Sequence, residues 1–548
     1  MGKHYLKNMK GLVFIWCLFS IFLFTVTISS YLSHDACAQE EGTQEAKEEM
    51  GPVVDNTIKL PLKSVMVLAI KNNLQIAFES FNPKASETGI AREEGMYDPN
   101  VSLQYSKDRK VTQVGNVLQG AGQDTVYQEN YNLGVDVTKK FVSGTSAELK
   151  WNSIDSKTDF SFQTLVPQYK SELNLSLVQP LLKDFGIDIG KSMIKIANLD
   201  FKISNYQFEN QVITILYQIQ TFYWNLFFQI KDIEAREKSV KAAEDLLKEF
   251  KIKIEAGTLA PIEIYQAEAE VAERKQELIV ARDLVRDTED KLKSALNFYE
   301  KEQYWDLIII PADEPRTTVV KEELMGSMKE AFENRPDYLQ AKTDIEARNI
   351  MVKYTKNQTL PRVDVIGTIG TMGLGGRTNP DAANFMGGGS GQTIQLSRHW
   401  DDVADSMGSG DYYNYIIGMK IEFPLGNRTA KSQYSKAKIG AAQAATFLKD
   451  LENNIINEVR EAVRQIETNI ERVEAAKATR RLAEERLKAE GKKFEVGLST
   501  AHDLLEFQDE LAKAESREAF SRTEYEKSIA DLSRVKGIML RENDISIN

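Results

Sequence analysis

Asp503 and Glu506 stand three residues apart just beyond the turn VGLST (Val496–Thr500). On a helix that spacing puts both carboxylates on one face. The surrounding stretch FEVGLSTAHDLLEFQ (Phe494–Gln508) has a degenerate copy, IEAGTLAPIEIYQAE (Ile254–Glu268), in which Glu263 takes the place of Asp503 and Gly257 that of Gly497. An acidic first turn suits a helix dipole, which is the plain use of such residues. Copies of the chain arranged about an axis would instead gather them into a ring of negative charge, which selects cations and can gate a pore.

Other reactive groups are sparse. Of the four histidines, His4, His34, His399 and His502, no two stand at metal-ligand spacing. GIDIGKS (Gly186–Ser192) is one residue short of a phosphate loop, and in GGGSGQ (Gly387–Gln392) Gln392 stands where a nucleophile elbow needs Gly. No triad, metal set or nucleotide loop is present, so neither an enzyme nor a cofactor is expected.

The elements that carry the two turns are long helices. Ile456, Val459, Val463, Ile466, Ile470 and Val473 recur at steps of three and four, a coiled-coil seam. Val212, Ile215, Ile219, Phe222, Leu226, Ile230 and Ile233 keep nearly the same rhythm, in a helix expected from Asp188 to Ala256 and so about 100 Å long. Gly497 suits the left-handed end of one helix, and Thr500 with Asp503 a capping pair for the next. In the earlier copy Gly257 ends the helix and Pro261 fits the first turn of its successor. Both turns read as the tips of antiparallel helical hairpins.

The copying extends beyond the tips. AIKNN (Ala69–Asn73) pairs with AFENR (Ala331–Arg335), the strand opening at Pro99 with that at Pro361, and LSLVQPLL around Pro180 with MKIEFPLG around Pro424. Each copy reads helix, strands, very long helix, turn, helix, as in an old duplication. The first repeat covers residues 59–300 and the second 321–540. A linker (301–320) joins them, a flexible segment (39–58) precedes them, and a tail (541–548) follows. The strands alternate: Val101, Leu103 and Tyr105; Tyr131 to Val137; Ala147, Leu149 and Trp151; Leu173, Leu175 and Leu177; Tyr413 to Phe423. A soluble sandwich with one wet face would alternate likewise. Strand lengths near ten residues and the tyrosines favour a membrane barrel. The Gly-rich stretch Gly370–Gln392 reads as a loop between two strands.

Lys3, Lys7 and Lys10 precede an uncharged apolar run, Gly11–Ile28, and an Ala36-Cys37-Ala38 site, which reads as a signal peptide over residues 1–38; an uncleaved anchor helix is the alternative. Cleavage removes both cysteines, Cys17 and Cys37, and leaves the chain more acidic than its formal −12. That balance argues against a nucleic-acid partner. No later run is apolar enough for a transmembrane helix.

These features resemble the TolC family of outer-membrane efflux proteins. The carriers are Asn72, Asn334–Asp337, Pro99, Pro361, QPLL, FPLG and above all VGLST with HDLLEFQ. The resemblance implies an α+β membrane protein: a homotrimer whose strands share one β-barrel in outer-membrane lipid and whose helices continue as a coiled-coil tunnel across the periplasm. It implies a passive duct served by a periplasmic adaptor and an inner-membrane pump. Val496, Gly497, Leu498, Thr500 and Gly257 match the adaptor-contacting tips, and Asp503 and Glu506, with Glu263, the acidic entrance. A Tyr and an Arg that help lock the entrance in the best-studied member are Phe494 and Ser499 here. The family usually has two strands per copy; the first copy here has four, so a protomer holds four or six barrel strands according to whether the Tyr131–Trp151 hairpin lies inside the barrel or outside it. A pore-less periplasmic adaptor or scaffold is the rival reading.

Overall fold

The computed structural model describes residues 56–114, 124–160, 163–256, 260–316, 318, 321–379, 382, 400–496 and 498–546. The signal peptide, Gly257, Gly497, His399 and most of the Gly370–Gln392 stretch lie outside them. In chain order the elements are β1 (Thr57–Leu60), α1 (Leu62–Asn72), α2 (Leu74–Glu79), α3 (Phe81–Glu94), β2 (Asn100–Gln113), β3 (Thr125–Lys140), β4 (Ser146–Thr158) and β5 (Leu165–Pro180). Next come α4 (Ile187–Gly190), α5 (Ser192–Glu255), α6 (Ile262–Ala295), β6 (Ile308–Pro311), α7 (Leu324–Asn334), α8 (Pro336–Gln358) and β7 (Arg362–Thr378). The chain ends with α9 (Trp400–Ser409), β8 (Tyr413–Glu422), α10 (Arg428–Glu495), α11 (Ala501–Lys536) and α12 (Met539–Glu542). It folds as two compact units, one built on the strands β2–β5, β7 and β8, the other on the helices.

The strand unit is one antiparallel sheet in the order β2-β3-β4-β5-β7-β8. The Tyr131–Trp151 hairpin is therefore inside the sheet, which holds six strands. Register aligns the alternating residues into rows: Val101, Val137, Leu149, Leu175, Ile369 and Tyr415 in one, Leu103, Val135, Trp151, Leu173, Thr371 and Tyr413 in the next. The opposite face carries Ser102, Asp136, Lys150, Asn174 and Asn414 in register. In these rows one face is apolar and aromatic and the other polar, although Val178, Ile366 and Ile416 add apolar groups to the second face. On edge strand β8 the apolar side chains stand free, with Ile417 81% exposed.

Part of the stretch read as a loop is strand. Gly370–Thr378 completes β7, because sheet pairing needs only backbone groups. Its glycines also admit a helix: a Cβ on Gly373 would lie 2.4 Å from the Val403 carbonyl oxygen of α9. Val403 and Met407 of α9 are buried, and the Thr371 hydroxyl donates to the Met407 carbonyl at 2.8 Å.

In the helical unit β1 and β6 form a parallel pair, so the stretch read as linker contains a strand. Ile58, Leu60, Val65, Met66 and Ile309 pack with Val212, Ile213, Leu216, Ile219, Tyr223 and Leu226 of α5. This buries a face of α5 wider than a coiled-coil seam, which is why Ile213, Leu216 and Tyr223 join the residues the periodicity picked out. The Tyr223 hydroxyl accepts from the Asp313 amide at 3.1 Å and lies 3.0 Å from the Asp313 carboxylate. The expected helix from Asp188 is divided at Lys191 into α4 and α5. On α10 the seam begins at Ile455 rather than Ile456 and runs through Val459, Val463 and Ile466. Asn469 is buried on the same side and donates to the Glu524 carbonyl of α11 at 3.1 Å. At the other end of α11, Gly537 takes φ +71°, which terminates that helix.

Leu216 is fully buried in this core. Leu216→Ala should cost about 2–5 kcal/mol, read as a lowered midpoint of helix melting by circular dichroism. Leu482→Ala, at an exposed position of α10, should shift the midpoint little.

Candidate functional site

Thr500 caps α11 in a capping box, satisfying two amides that the helix start would otherwise leave open. Its Oγ1 accepts from the Asp503 amide at 3.2 Å, and the Asp503 carboxylate accepts from the Thr500 amide at 3.1 Å and from the Thr500 hydroxyl at 2.6 Å. These bonds, the hydroxyl's first, hold the Asp503 carboxyl below its usual range. The same geometry makes Asp503 half-buried while Glu506, one turn on, is exposed. Glu263 occupies the first turn of α6. The two carboxylates of the pair are thus unequal: Asp503 is held by the hydroxyl and amide of Thr500, and Glu506 is exposed.

Glu490 belongs to this acidic set, although sequence spacing gave no sign of it. It lies near the end of α10, ten residues before the cap. Its carboxyl is also lowered, by hydrogen bonds from Lys493 and then Ser499. Ser499 therefore engages acidic groups at the tip even without the charge of an Arg. The tip closes with the Leu498 amide donating to the Lys493 carbonyl at 2.8 Å, a six-residue bond that satisfies a helix-terminal carbonyl. Val496 and Leu498 are 69% and 78% exposed.

Behind the tips the two hairpins share a core. Leu246 and Phe250 of α5, Ala267 and Val271 of α6 and Leu505 of α11 are buried together, with Phe494 of α10 packed against them. The Lys253 ammonium sits 4.7 Å from the centre of the Phe494 ring, a cation–π contact. Phe494 thus acts through its apolar ring, in the shared core and against Lys253.

Arg274 of α6 was not legible in the sequence, because it stands in an ordinary charged run. It is 4% exposed, and its guanidinium is divided among three elements. It pairs with Glu270 at 2.8 Å, donates to the Ser239 carbonyl of α5 at 3.1 Å and donates to the Leu505 carbonyl of α11 at 2.8 Å. Beside it Arg236 bridges Asp232 and Glu277, each at 2.7 Å, and the Ser516 hydroxyl of α11 donates to Asp232 at 2.5 Å. A cavity of about 160 Å³ lies among these side chains. Fixed donors and acceptors thus join α5, α6 and α11 just behind the acidic turn.

Replacing the Thr500 cap should cost about 0.5–2 kcal/mol, or roughly 2- to 30-fold faster amide exchange over the first turn of α11. Hydrogen-exchange mass spectrometry of Thr500→Ala checks this, and Glu506→Ala should leave exchange there unchanged. Because the Asp503 pKa is lowered on folding, its stabilisation is present above the ordinary carboxylate value and is lost as pH falls through the folded one.

A family model described as Outer membrane efflux protein matches residues 328–537. No curated protein matches. Among solved structures, the outer-membrane channel OprN is 14% identical with a TM-score of 0.61, over 87% of this chain and 89% of that one. The Campylobacter jejuni CmeC outer membrane channel is 14% identical with a TM-score of 0.60, over 94% of each. The open state of the Neisseria gonorrhoeae MtrE outer membrane channel is 14% identical with a TM-score of 0.57, over 87% of this chain and 89% of that one. Residues 328–537 match the model of the outer membrane efflux protein family, and the chain as a whole has the fold of these outer-membrane channels.

Proposed function

We propose that the chain is one protomer of a homotrimeric outer-membrane channel that passes exported substrates outward without chemical change. The observation that carries this reading is a six-stranded sheet, apolar on one face and polar on the other, in a chain that also carries two long helical hairpins and the channel fold. The sheet spans the outer membrane and the hairpins lie in the periplasm. Strands β2 and β8 are the open edges. Three copies, each pairing β8 with the neighbour's β2, make a barrel of eighteen strands with the apolar faces toward lipid. The element order helix, strands, long helix, turn, helix occurs twice, as a duplicated gene would give.

The hairpin tips are the contact for a periplasmic adaptor, itself served by an inner-membrane pump. Exposed Val496 and Leu498 are suited to such packing, and Gly497, Thr500 and, in the first repeat, Gly257 belong to the same proposed contact. Three copies would set Asp503, Glu506 and Glu263 around the periplasmic entrance as a cation-selecting ring. Glu506 supplies mobile charge, and Asp503 supplies charge held in place by Thr500. Arg274 and Phe494 hold the two hairpins of each protomer together in the closed entrance. A pore-less scaffold would have no use for a sheet with one lipid-compatible face.

Planar-bilayer conductance tests this. Wild type should give discrete, cation-selective steps. Asp503→Ala with Glu506→Ala should keep the steps and lose at least half of the selectivity, and Arg274→Ala should raise the open fraction. Verified trimers that give no steps would refute the channel; unchanged selectivity would remove these carboxylates from the entrance.

A further inference from the structure

The apolar face of the sheet has charged boundaries at both ends. Along β3 this face presents Lys139, Val137, Val135, Leu133, Tyr131 and Glu129 in turn. Lys139 and Glu129 are separated by roughly 33 Å along the strand at ~3.3 Å per residue, which a strand tilt near 40° reduces to about 25 Å, the height of a barrel's apolar band. The Glu129 end is the one where β2 runs on to β3, β4 to β5 and, through α9, β7 to β8, opposite the end at which α3, α4, α8 and α10 adjoin the strands. With the helices in the periplasm, it faces the outer leaflet.

At that boundary three cations converge on two aromatic rings. The Lys107 and Lys157 ammonium groups lie 4.8 and 5.3 Å from the centre of the Tyr131 ring, and the Arg109 guanidinium lies 5.1 Å from that of Tyr127. Two carboxylates oppose them. Glu129 is already taken up by Lys107 at 2.5 Å and by the Tyr131 hydroxyl at 2.7 Å. Asp155 lies in the same row as Tyr131, with its Oδ1 shielded from solvent. Arg109 and Lys157 are exposed and flank Glu129 in register, and among the described residues neither has a carboxylate within ion-pair distance, Glu129 being engaged by Lys107. Cations left unpaired at a membrane boundary are matched by anionic lipid headgroups, and rings that hold them upright reduce the ordering cost of binding.

We propose that Arg109, Lys157 and Lys107 form a headgroup site on the outer rim of the sheet for a phosphorylated glycolipid of the outer leaflet. Arg109 and Lys157 pair with its phosphates, and Lys107 adds charge while holding Glu129 away from them. The inference rests on the reading that the sheet spans the outer membrane with its apolar face to lipid.

The test is native mass spectrometry of detergent-purified trimers with diphosphorylated lipid A, the same lipid A dephosphorylated, and inorganic phosphate. Wild type should bind the diphosphorylated form at least 10-fold more tightly than the dephosphorylated form. Arg109→Gln with Lys157→Gln should abolish that preference, and Lys150→Gln, on the polar face, should retain it. Heat-resistant trimers and bilayer insertion by the double variant show that the sheet still assembles. Equal preference in wild type and double variant overturns the proposal, as does inorganic phosphate displacing lipid A at equal concentration. If wild type fails to insert into bilayers at all, the membrane reading itself has failed; insertion with no phosphate preference refutes only the site.

Discussion

Hydrocarbon offers no hydrogen bonds, so a backbone inside a membrane must satisfy every N–H and C=O group internally. The sheet meets that condition across five strand pairings and fails it at two edges, β2 and β8. An isolated copy in lipid would leave both edges open, at a cost of several kcal/mol for each unpaired group. Closure through other copies removes that cost, and the proposed trimer follows from it. In the proposed trimer the alternation along the strands would serve the same end, with one side of the sheet against lipid and the other against water.

The hairpin ends obey a different constraint. A guanidinium buried like Arg274 is tolerated only when its donors are matched, and loss of its partners leaves a costly buried charge. Its bonds to Ser239 and Leu505 are made to backbone carbonyls, so they fix the positions of α5 and α11 rather than the choice of one side chain. The acidic turn is built just beyond this tie. Asp503 serves the helix start first and a proposed entrance charge second, and the two uses agree: hydrogen bonding from Thr500 keeps the carboxylate ionised over a wider pH range. Phe494 contributes a ring to the shared core and a face to Lys253.

Much of this was legible from periodicity and turn chemistry. Alternation located the strands, including the extra hairpin, although only strand pairing placed that hairpin within the sheet. Thr500 and Asp503 were readable as a cap because capping is local. The misreadings have a common cause in long-range packing. Gly370–Thr378 looked like loop because glycines carry no pattern, yet β5, β8 and α9 define it as strand. The α10 seam opens at Ile455 instead of Ile456, because Ile455 stands four residues before Val459 and shares its buried face. Arg274 could not be distinguished from neighbouring surface charges until α5 and α11 enclosed it. The charged rim of the sheet likewise exists only in register, since Lys107, Tyr131 and Lys157 come from three strands.

The most direct test of the account is electron cryomicroscopy of the protein in lipid nanodiscs. Three chains should close one barrel of eighteen strands, with each β8 hydrogen-bonded to the β2 of the next chain and the Tyr131–Trp151 hairpin in the wall. A barrel that excludes β3 and β4, or particles whose β2 and β8 edges remain unpaired, would contradict it.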